Sequence, residues 1–308
     1  MIRPKDKALA NQISSNLVRF SADRTELIGI SDITSRETLV AQIIESIRRI
    51  QFIEVLFDRP IAPERSDPST TIFDPLRAAI SSIAAGEVDE AYWLIFLATH
   101  FSKHHVDGWG LMRAIYGALD RSDVWTWSNV TANPSSFFNW LDDNYDSFAN
   151  LRFGNHRKYE SKRRFGDRGF EAVFQSYLTW VGPTKSHEQK IRSLIGGFNN
   201  RATSFDVMYH SLDEVVSWGR LAKFDHLTML GKLRLAPIEP GRAYLAGATG
   251  PRKGVALLLT GSKMNAVNTK VGEEVLVSLG TYIDVGQQVL EDSLCNWQKS
   301  PQKFIPFR

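Results

Sequence analysis

One cysteine, Cys295, stands among 308 residues. A single thiol excludes an intrachain disulfide, a cysteine-cluster metal site and an iron–sulfur cluster, and it suits a reducing cytosol. Charge of one sign is scarce too. The 37 basic and 34 acidic residues leave a net +3, so any nucleic-acid argument must rest on where the charge lies, not on its sum. No apolar run reaches bilayer length: the strongest, AYWLIFLATHF from Ala91, is about half of the roughly 20 residues a span requires. The opening MIRPKDKALANQISSNLVRF carries early charge and no apolar stretch of signal-peptide length, so a cytoplasmic protein without a membrane association is expected. Alternating β-branched runs are rare, which argues against an extensive sheet. Internal repeats and low-complexity tracts are absent.

What is present reads as helix. Hydrophobic residues make up 43% of the chain, the level of an ordinary globular protein. Residues 1 to about 58 carry an apolar stripe, Leu39, Val40, Ile43, Ile44, Ile47 and Ile50, at helical spacing. Thr34 and Glu37 ahead of it have the spacing of a capping box, as do Ser211 with Glu214 and Asp284 with Gln287. Four prolines between Pro60 and Pro75 mark a loop. Three- and four-residue apolar spacing then dominates from Phe73 onward. The expected fold is all-α, with an N-terminal helical region and its proline-rich loop over 1–89 and a main helical domain over 90–308.

The stretch YLAGATGPRKGVALLLTGSKMNAVNTKVGEEV, from Tyr244 to Val275, reads as a short helix, a glycine turn, an apolar helix, a loop and a further helix. Pro240 suits the first turn of the leading helix and Pro251 that of the trailing one. Amides at a helix start lack helical partners and can bind a phosphate, aided by the dipole. Gly247, Thr249 and Gly250 in the turn, with Arg252 and Lys253 just beyond, form the candidate phosphate site. A plain helix–helix connection with no ligand has the same glycines.

Elsewhere, Arg152 to Arg168 holds seven basic and two acidic residues, a local concentration in a nearly neutral chain. Asn155, His156, Arg157 and Lys158 are the residues there expected at a DNA backbone. Trp93 and Trp109 are aromatics at helical spacing and His100 a histidine among apolar residues, positions where ordinary core packing is the usual role. Asp225, on a partly apolar helix face, either pairs with Lys223 or Arg220 or serves a site. His104, His105 and Asp107 have no further cluster around them, so no metal site is expected.

These segments resemble helix-hairpin-helix DNA glycosylases of the endonuclease III-like kind. In those enzymes an apolar helix after the hairpin leads to a Val-Asp-Thr-His-type segment bearing the catalytic aspartate. Here Asn268 takes the aspartate's place and Thr269 the threonine's. A closer resemblance is to the alpha-glutamyl/putrescinyl thymine pyrophosphorylase clade 3 family, through WLIFLATHF, FGNHRKYES, GRLAKFDHLTMLGKL, AYLAGATGP and VLEDSLCNWQKSP. Antiphage glycosylases acting on glucosylated hydroxymethylcytosine are similar to that family. The resemblance implies a helix-hairpin-helix glycosylase-like architecture, a partner in double-stranded DNA with modified bases, and a pocket for an extruded base, which His100 would line and on whose base Trp93 or Trp109 would stack. It implies a monomer without a resident cofactor, a monovalent cation at the hairpin being the one ion it admits.

The resemblance raises a chemical question, because an amide cannot supply the charge that a leaving base demands. Three accounts remain. A glycosylase could draw its charge from Asp225, Glu273 or Glu274, with Asn268 in the site. A transferase could act on a 5-hydroxymethylpyrimidine. A binder would do no chemistry. Lyases of the resembled kind place a lysine two residues after the hairpin's last glycine, where this chain has Arg252, so a monofunctional glycosylase is the expectation.

Overall fold

The computed structural model describes residues 2–120 and 123–306. Among them the regular structure is helical, without strands, as expected. The elements are α1 (Lys7–Asp23), α2 (Ile33–Phe57), α3 (Pro75–Ala84), α4 (Val88–Phe101), α5 (Gly110–Tyr116), α6 (Trp127–Ala132), α7 (Pro134–Asp143) and α8 (Tyr145–Phe148). After them come α9 (Phe170–Val181), α10 (His187–Ile195), α11 (Arg201–Ser211), α12 (Arg220–Lys232), α13 (Gly250–Thr260), α14 (Thr269–Ile283) and α15 (Gln287–Trp297). No helix among the described residues is long and apolar enough to cross a membrane.

The chain forms two compact units: Met1–Ile53 with Pro240–Arg308, and Glu54–Glu239. The expected linear division at residues 89 and 90 is therefore not how the chain packs. The reason is the apolar stripe of α2. Leu39, Val40, Ile43 and Ile44 bury with Ile13, Leu17 and Phe20 of α1 in one core with Val255 and Leu258 of α13, Leu276 and Leu279 of α14, and Leu290, Leu294 and Trp297 of α15. Polar bonds fix the register of this first unit. The Trp297 indole donates to the Ser35 carbonyl at 3.0 Å, and the Asn296 amide donates to Gln42 Oε1 at 2.9 Å.

In the second unit the run Ala91–Leu97 is at most 1% exposed at every residue. A helix apolar on all sides must be surrounded, and α4 is: α3, α5, α6, α10 and α12 pack on it.

All three expected capping boxes are corrected. Asp32, not Thr34, caps α2, its Oδ2 accepting from Ser35 N at 2.8 Å. Ser211 is the last residue of α11 and precedes a single 3-10 turn, Leu212–Glu214, which its side chain does not cap. Asp284 closes α14 in the left-handed region at φ 56°, and Gly286 precedes α15. In each case a neighbour with a better-placed oxygen, or a preceding helix that runs further, overrides the spacing. The leading helix of the expected hairpin is corrected as well. Residues 233–249 contain no helix, and Pro240 lies in that loop.

Gly254 shows why α13 can approach α15 closely. A Cβ there would sit 2.5 Å from the Leu294 carbonyl oxygen and 2.7 Å from Leu294 Cβ, and helix backbone cannot swing aside. Gly254→Ala is expected to destabilise the protein by about 1–3 kcal/mol as an overpacked helix contact, measured by urea unfolding. Unchanged stability would show that the two helices can part without cost.

Candidate functional site

The expected phosphate-binding bend lies in the first unit. Ala248 N donates to the Leu245 carbonyl at 3.0 Å, closing a β-turn. Gly247 stands at its third position at φ 74°, where a type II turn needs a left-handed residue and glycine adopts it at no steric cost. Gly250 begins α13 instead of bending the chain. A Cβ on it would collide with Cys295 Sγ. Ala246, Gly247 and Thr249 are exposed, and Arg252 and Lys253 project from the first turn of α13 into solvent. The bend is thus a surface feature with two cations at a helix start, which suits an anion.

Behind the bend stands the first half of α14. Asn268 is its N-cap: Oδ1 accepts from Lys270 N at 2.9 Å and from Val271 N at 3.3 Å. Asn268 is itself exposed. With the oxygen committed to the helix, the group it can offer a ligand is its Nδ2 amide, a donor. Glu273, expected as a source of catalytic charge, is instead a brace. Its Oε1 accepts from Leu245 N at 2.6 Å, and Oε2 lies 3.9 Å from Arg242 Nη1. Gly272 lets α14 lie against Val255 and Leu245, where a Cβ would be 3.0 and 3.2 Å from their methyl carbons. Cap, glycine and carboxylate together hold Leu245, the first residue of the turn.

The second unit treats its basic stretch in an unexpected way. Arg157 is 7% exposed. It donates from Nη1 to the Ser217 carbonyl at 2.9 Å and from Nε to the His100 carbonyl at 3.3 Å, with Glu160 Oε1 at 3.6 Å. A buried strut cannot meet a phosphate, so Arg157 is corrected from a DNA contact to an anchor. Other cations are also engaged. Arg152 makes a bidentate pair with Asp107 at 2.7 and 2.9 Å, Arg164 pairs with Glu171 at 2.6 Å, and Arg168 with Glu160 at 2.8 Å. Lys162 donates to the Ala149 and Leu151 carbonyls. A sequence count of charges cannot see such partners. What Arg157 anchors remains outside: Asn155, His156 and Lys158 are exposed, and Tyr159 is 81% exposed under the Lys158 ammonium, 5.0 Å from its ring centre.

The expected base-pocket residues divide. Trp93 is fully buried, ringed by Phe96, Trp127, Phe174 and Tyr177, with its indole N–H on the Trp125 carbonyl at 2.9 Å. It is core, because its faces are already covered. His100 is fully buried too, packed by Phe96, Phe153, Phe170 and Phe174. Burial, with the Arg157 charge adding to it, holds His100 well below the usual histidine range, so it is neutral. Arg157 Nη2 approaches its Nδ1 at 3.4 Å. Arginine only donates, so Nδ1 accepts and the proton sits on Nε2, which has no partner. Trp109 is half-buried at the start of α5. Asp225 is exposed on α12. Lys223 pairs with Asp213, and the Arg220 guanidinium lies over the Phe224 ring at 4.5 Å. Burial pulls the Arg157 guanidinium down, and the Asp225 charge is among those opposing this.

Two groups escaped the sequence reading, both on the first turn of α4. Glu90 accepts from Tyr116 Oη at 2.7 Å and from Trp127 N at 2.6 Å. Burial pushes its carboxyl up to about 7, against both hydrogen bonds. Asp89 Oδ1 accepts from His187 N at 2.7 Å and from His187 Nδ1 at 2.8 Å, and His187 Nε2 meets Tyr177 Oη at 2.9 Å. The only signal in sequence was two carboxylates directly before a fully apolar run. Two clefts also open on this unit, of about 390 and 540 Å³, with Asp143 on the rim of both. Among the described residues, no group of three His, Cys, Asp or Glu residues is arranged to hold a metal ion.

Over residues 34–308 the chain matches the family described as alpha-glutamyl/putrescinyl thymine pyrophosphorylase clade 3, and it belongs to that family. No curated protein and no solved structure matches it.

The raised Glu90 carboxyl has a definite thermodynamic sign. The folded state holds its proton more tightly than the unfolded chain, whose carboxyl titrates near 4.5. Its contribution to stability is complete below about pH 4.5 and is lost as pH rises through about 7. The buried neutral histidines His100, His187 and His226 work in the opposite direction, losing stability as pH falls below about 6.5. Glu90→Gln removes the first effect alone. The variant should gain on the wild type by on the order of 2–3 kcal/mol between pH 4.5 and 8, read from urea midpoints. A pH-independent difference would contradict the assignment.

Proposed function

We propose that this member of the alpha-glutamyl/putrescinyl thymine pyrophosphorylase clade 3 family is a DNA glycosylase. Its substrate in this reading is a hypermodified pyrimidine in phage DNA, alpha-glucosylated hydroxymethylcytosine, whose excision leaves abasic sites as a defence against the phage. The family name speaks of modified thymine. The observation that carries the reading is the exposed turn at Leu245–Ala248, running into a helix whose first turn presents Arg252 and Lys253. Backbone amides at a helix start, with cations beside them, are suited to a phosphodiester. Exposed Gly247 and Thr249, with Gly250 at the start of α13, are the residues this reading places against the phosphodiester. On the second unit, exposed Asn155, His156 and Lys158, with Tyr159, offer backbone and stacking contacts.

Excision adds water to the anomeric carbon as the base leaves with the glycosidic electron pair and takes up a proton. Positive charge develops on the sugar, so the enzyme needs a negative group there and a donor on the phosphate or base. In this reading Asn268, on the first unit, is a donor to a DNA phosphate through Nδ2, and the sugar and base are met by residues of the second unit. Asp225 is the exposed carboxylate assigned to the charge. Trp109 is the remaining aromatic for the extruded base. Arg252 cannot form a Schiff base with the abasic sugar, so the strand stays intact after the base departs.

Phage DNA containing glucosylated hydroxymethylcytosine, incubated beside unmodified DNA, tests the reading. Free modified base and abasic sites should arise from the modified DNA alone, with strand breaks only after alkali. A heavier, still-attached base formed in the presence of an amine would identify a transferase, and tight binding without either product a reader of modified DNA. Asp225→Asn should lower single-turnover excision by about 100- to 1,000-fold while DNA affinity holds. An unchanged rate would remove Asp225 from the chemistry.

A further inference from the structure

We infer that Val106, at the tip of the loop His104–Gly108, is a wedge that enters the base stack of a DNA duplex. Val106 is 68% exposed, at a kind of position usually held by glycine, proline or a polar residue. An isolated exposed valine on an open surface needs no explanation. Here the surrounding bonds hold it out. His104 and Gly108 exchange both backbone hydrogen bonds at 2.9 Å, and Gly108 takes φ 59° as the loop closes. The buried His104 ring turns its Nδ1 to the tip, accepting from Val106 N at 3.3 Å and from Asp107 N at 3.1 Å.

The loop is also braced from outside. Asp107 accepts from the backbone N, Nε and Nη2 of Arg152 at 3.2, 2.9 and 2.7 Å. Gly154 N donates to the Phe101 carbonyl at 2.9 Å, and a Cβ on Gly154 would lie 2.8 Å from the Lys103 carbonyl oxygen. The segment that leads to Asn155, His156 and Lys158 therefore lies against the base of the loop. Trp109, the half-buried aromatic assigned to the extruded base, follows Gly108 directly.

Area and charge decide what such a tip can enter. A specific protein partner buries roughly 800 Å² on each side, of which one valine supplies a small part. A gap between two base steps takes a single side chain, and apolar side chains are the ones that proteins insert there. The surroundings suit the phosphates on either side of such a gap. Lys103 and His105 are exposed beside the tip, and Lys158 on the adjoining segment. Asp107, the one acid in residues 102–109, is taken up by Arg152, and residues 152–158 hold none. A tip fixed before contact loses little freedom on insertion. The inference rests on the proposed DNA reading for its partner and not on base excision: the wedge occupies the place that an extruded nucleotide leaves.

A duplex with one tetrahydrofuran abasic site opposite 2-aminopurine tests the wedge without chemistry, since that site has no base to release. Anisotropy reads binding of the full chain, and 2-aminopurine fluorescence reads unstacking in the same sample. Saturating wild type should raise the fluorescence. Val106→Ala, which takes two methyl carbons from an exposed tip, should abolish most of the rise and weaken binding about tenfold. Its binding should keep the wild-type salt dependence, because the phosphate contacts remain. Val106→Leu, apolar and larger, should restore the rise. Fluorescence that stays flat on bound DNA, or an alanine variant with the full rise, would overturn the inference. A shallower salt dependence in the alanine variant would overturn it too, by showing lost phosphate contacts in place of a lost wedge. Excision that fails while the wild-type signal persists removes the proposed activity alone. A flat signal from a protein that does excise the modified base removes the wedge alone.

Discussion

The amide oxygen of Asn268 holds the first turn of α14, and the proposed DNA-facing surface of the first unit depends on that turn. From it extend Gly272, which lets Val255 and Leu245 come close, and Glu273, which takes the Leu245 amide proton. Leu245 is in turn the acceptor that closes the exposed bend. An N-cap of this kind stabilises a helix by about 1 kcal/mol. That is enough to decide whether a short surface turn is ordered before a ligand arrives. The same bond restricts the chemistry. An asparagine whose oxygen is already used presents N–H groups and, being neutral, does not carry the charge that the proposed glycosidic cleavage needs.

Charge in the second unit follows another constraint. A guanidinium taken from water must be matched by acceptors, and Arg157 finds two carbonyls and a carboxylate. Its burial converts a basic stretch into a loop pinned from below, with Asn155, His156, Lys158 and Tyr159 on its outer side. The neutral His100 next to it follows from the same arrangement, since a second buried positive charge there would have no compensation.

Helix content was legible in sequence because three- and four-residue apolar spacing is long and regular here, and Ala91–Leu97 declared itself central by being apolar on every side. Gly247 was legible because few residues other than glycine enter that part of backbone space. Helix starts were not. Asp32, Ser211 and Asp284 show that a capping spacing records which oxygens are near, not which one wins. Arg157 and Trp93 failed for a related reason, since partners that are distant in sequence set their burial. Glu273 looked catalytic because it was a carboxylate near the bend, and only the structure shows its oxygen on Leu245 N. Glu90 was invisible because its property is conferred by Tyr116 and Trp127.

The dependence of the bend on Asn268 can be read directly from amide hydrogen exchange at Leu245, Lys270 and Val271 in wild type, Asn268→Ala and Asn268→Asp. The alanine variant should speed exchange at all three by about fivefold, the equivalent of a cap worth about 1 kcal/mol. The aspartate variant, whose carboxylate caps equally well, should leave them protected. Wild-type protection in the alanine variant would show that the bend stands without the cap, and the account of Asn268 would then be wrong.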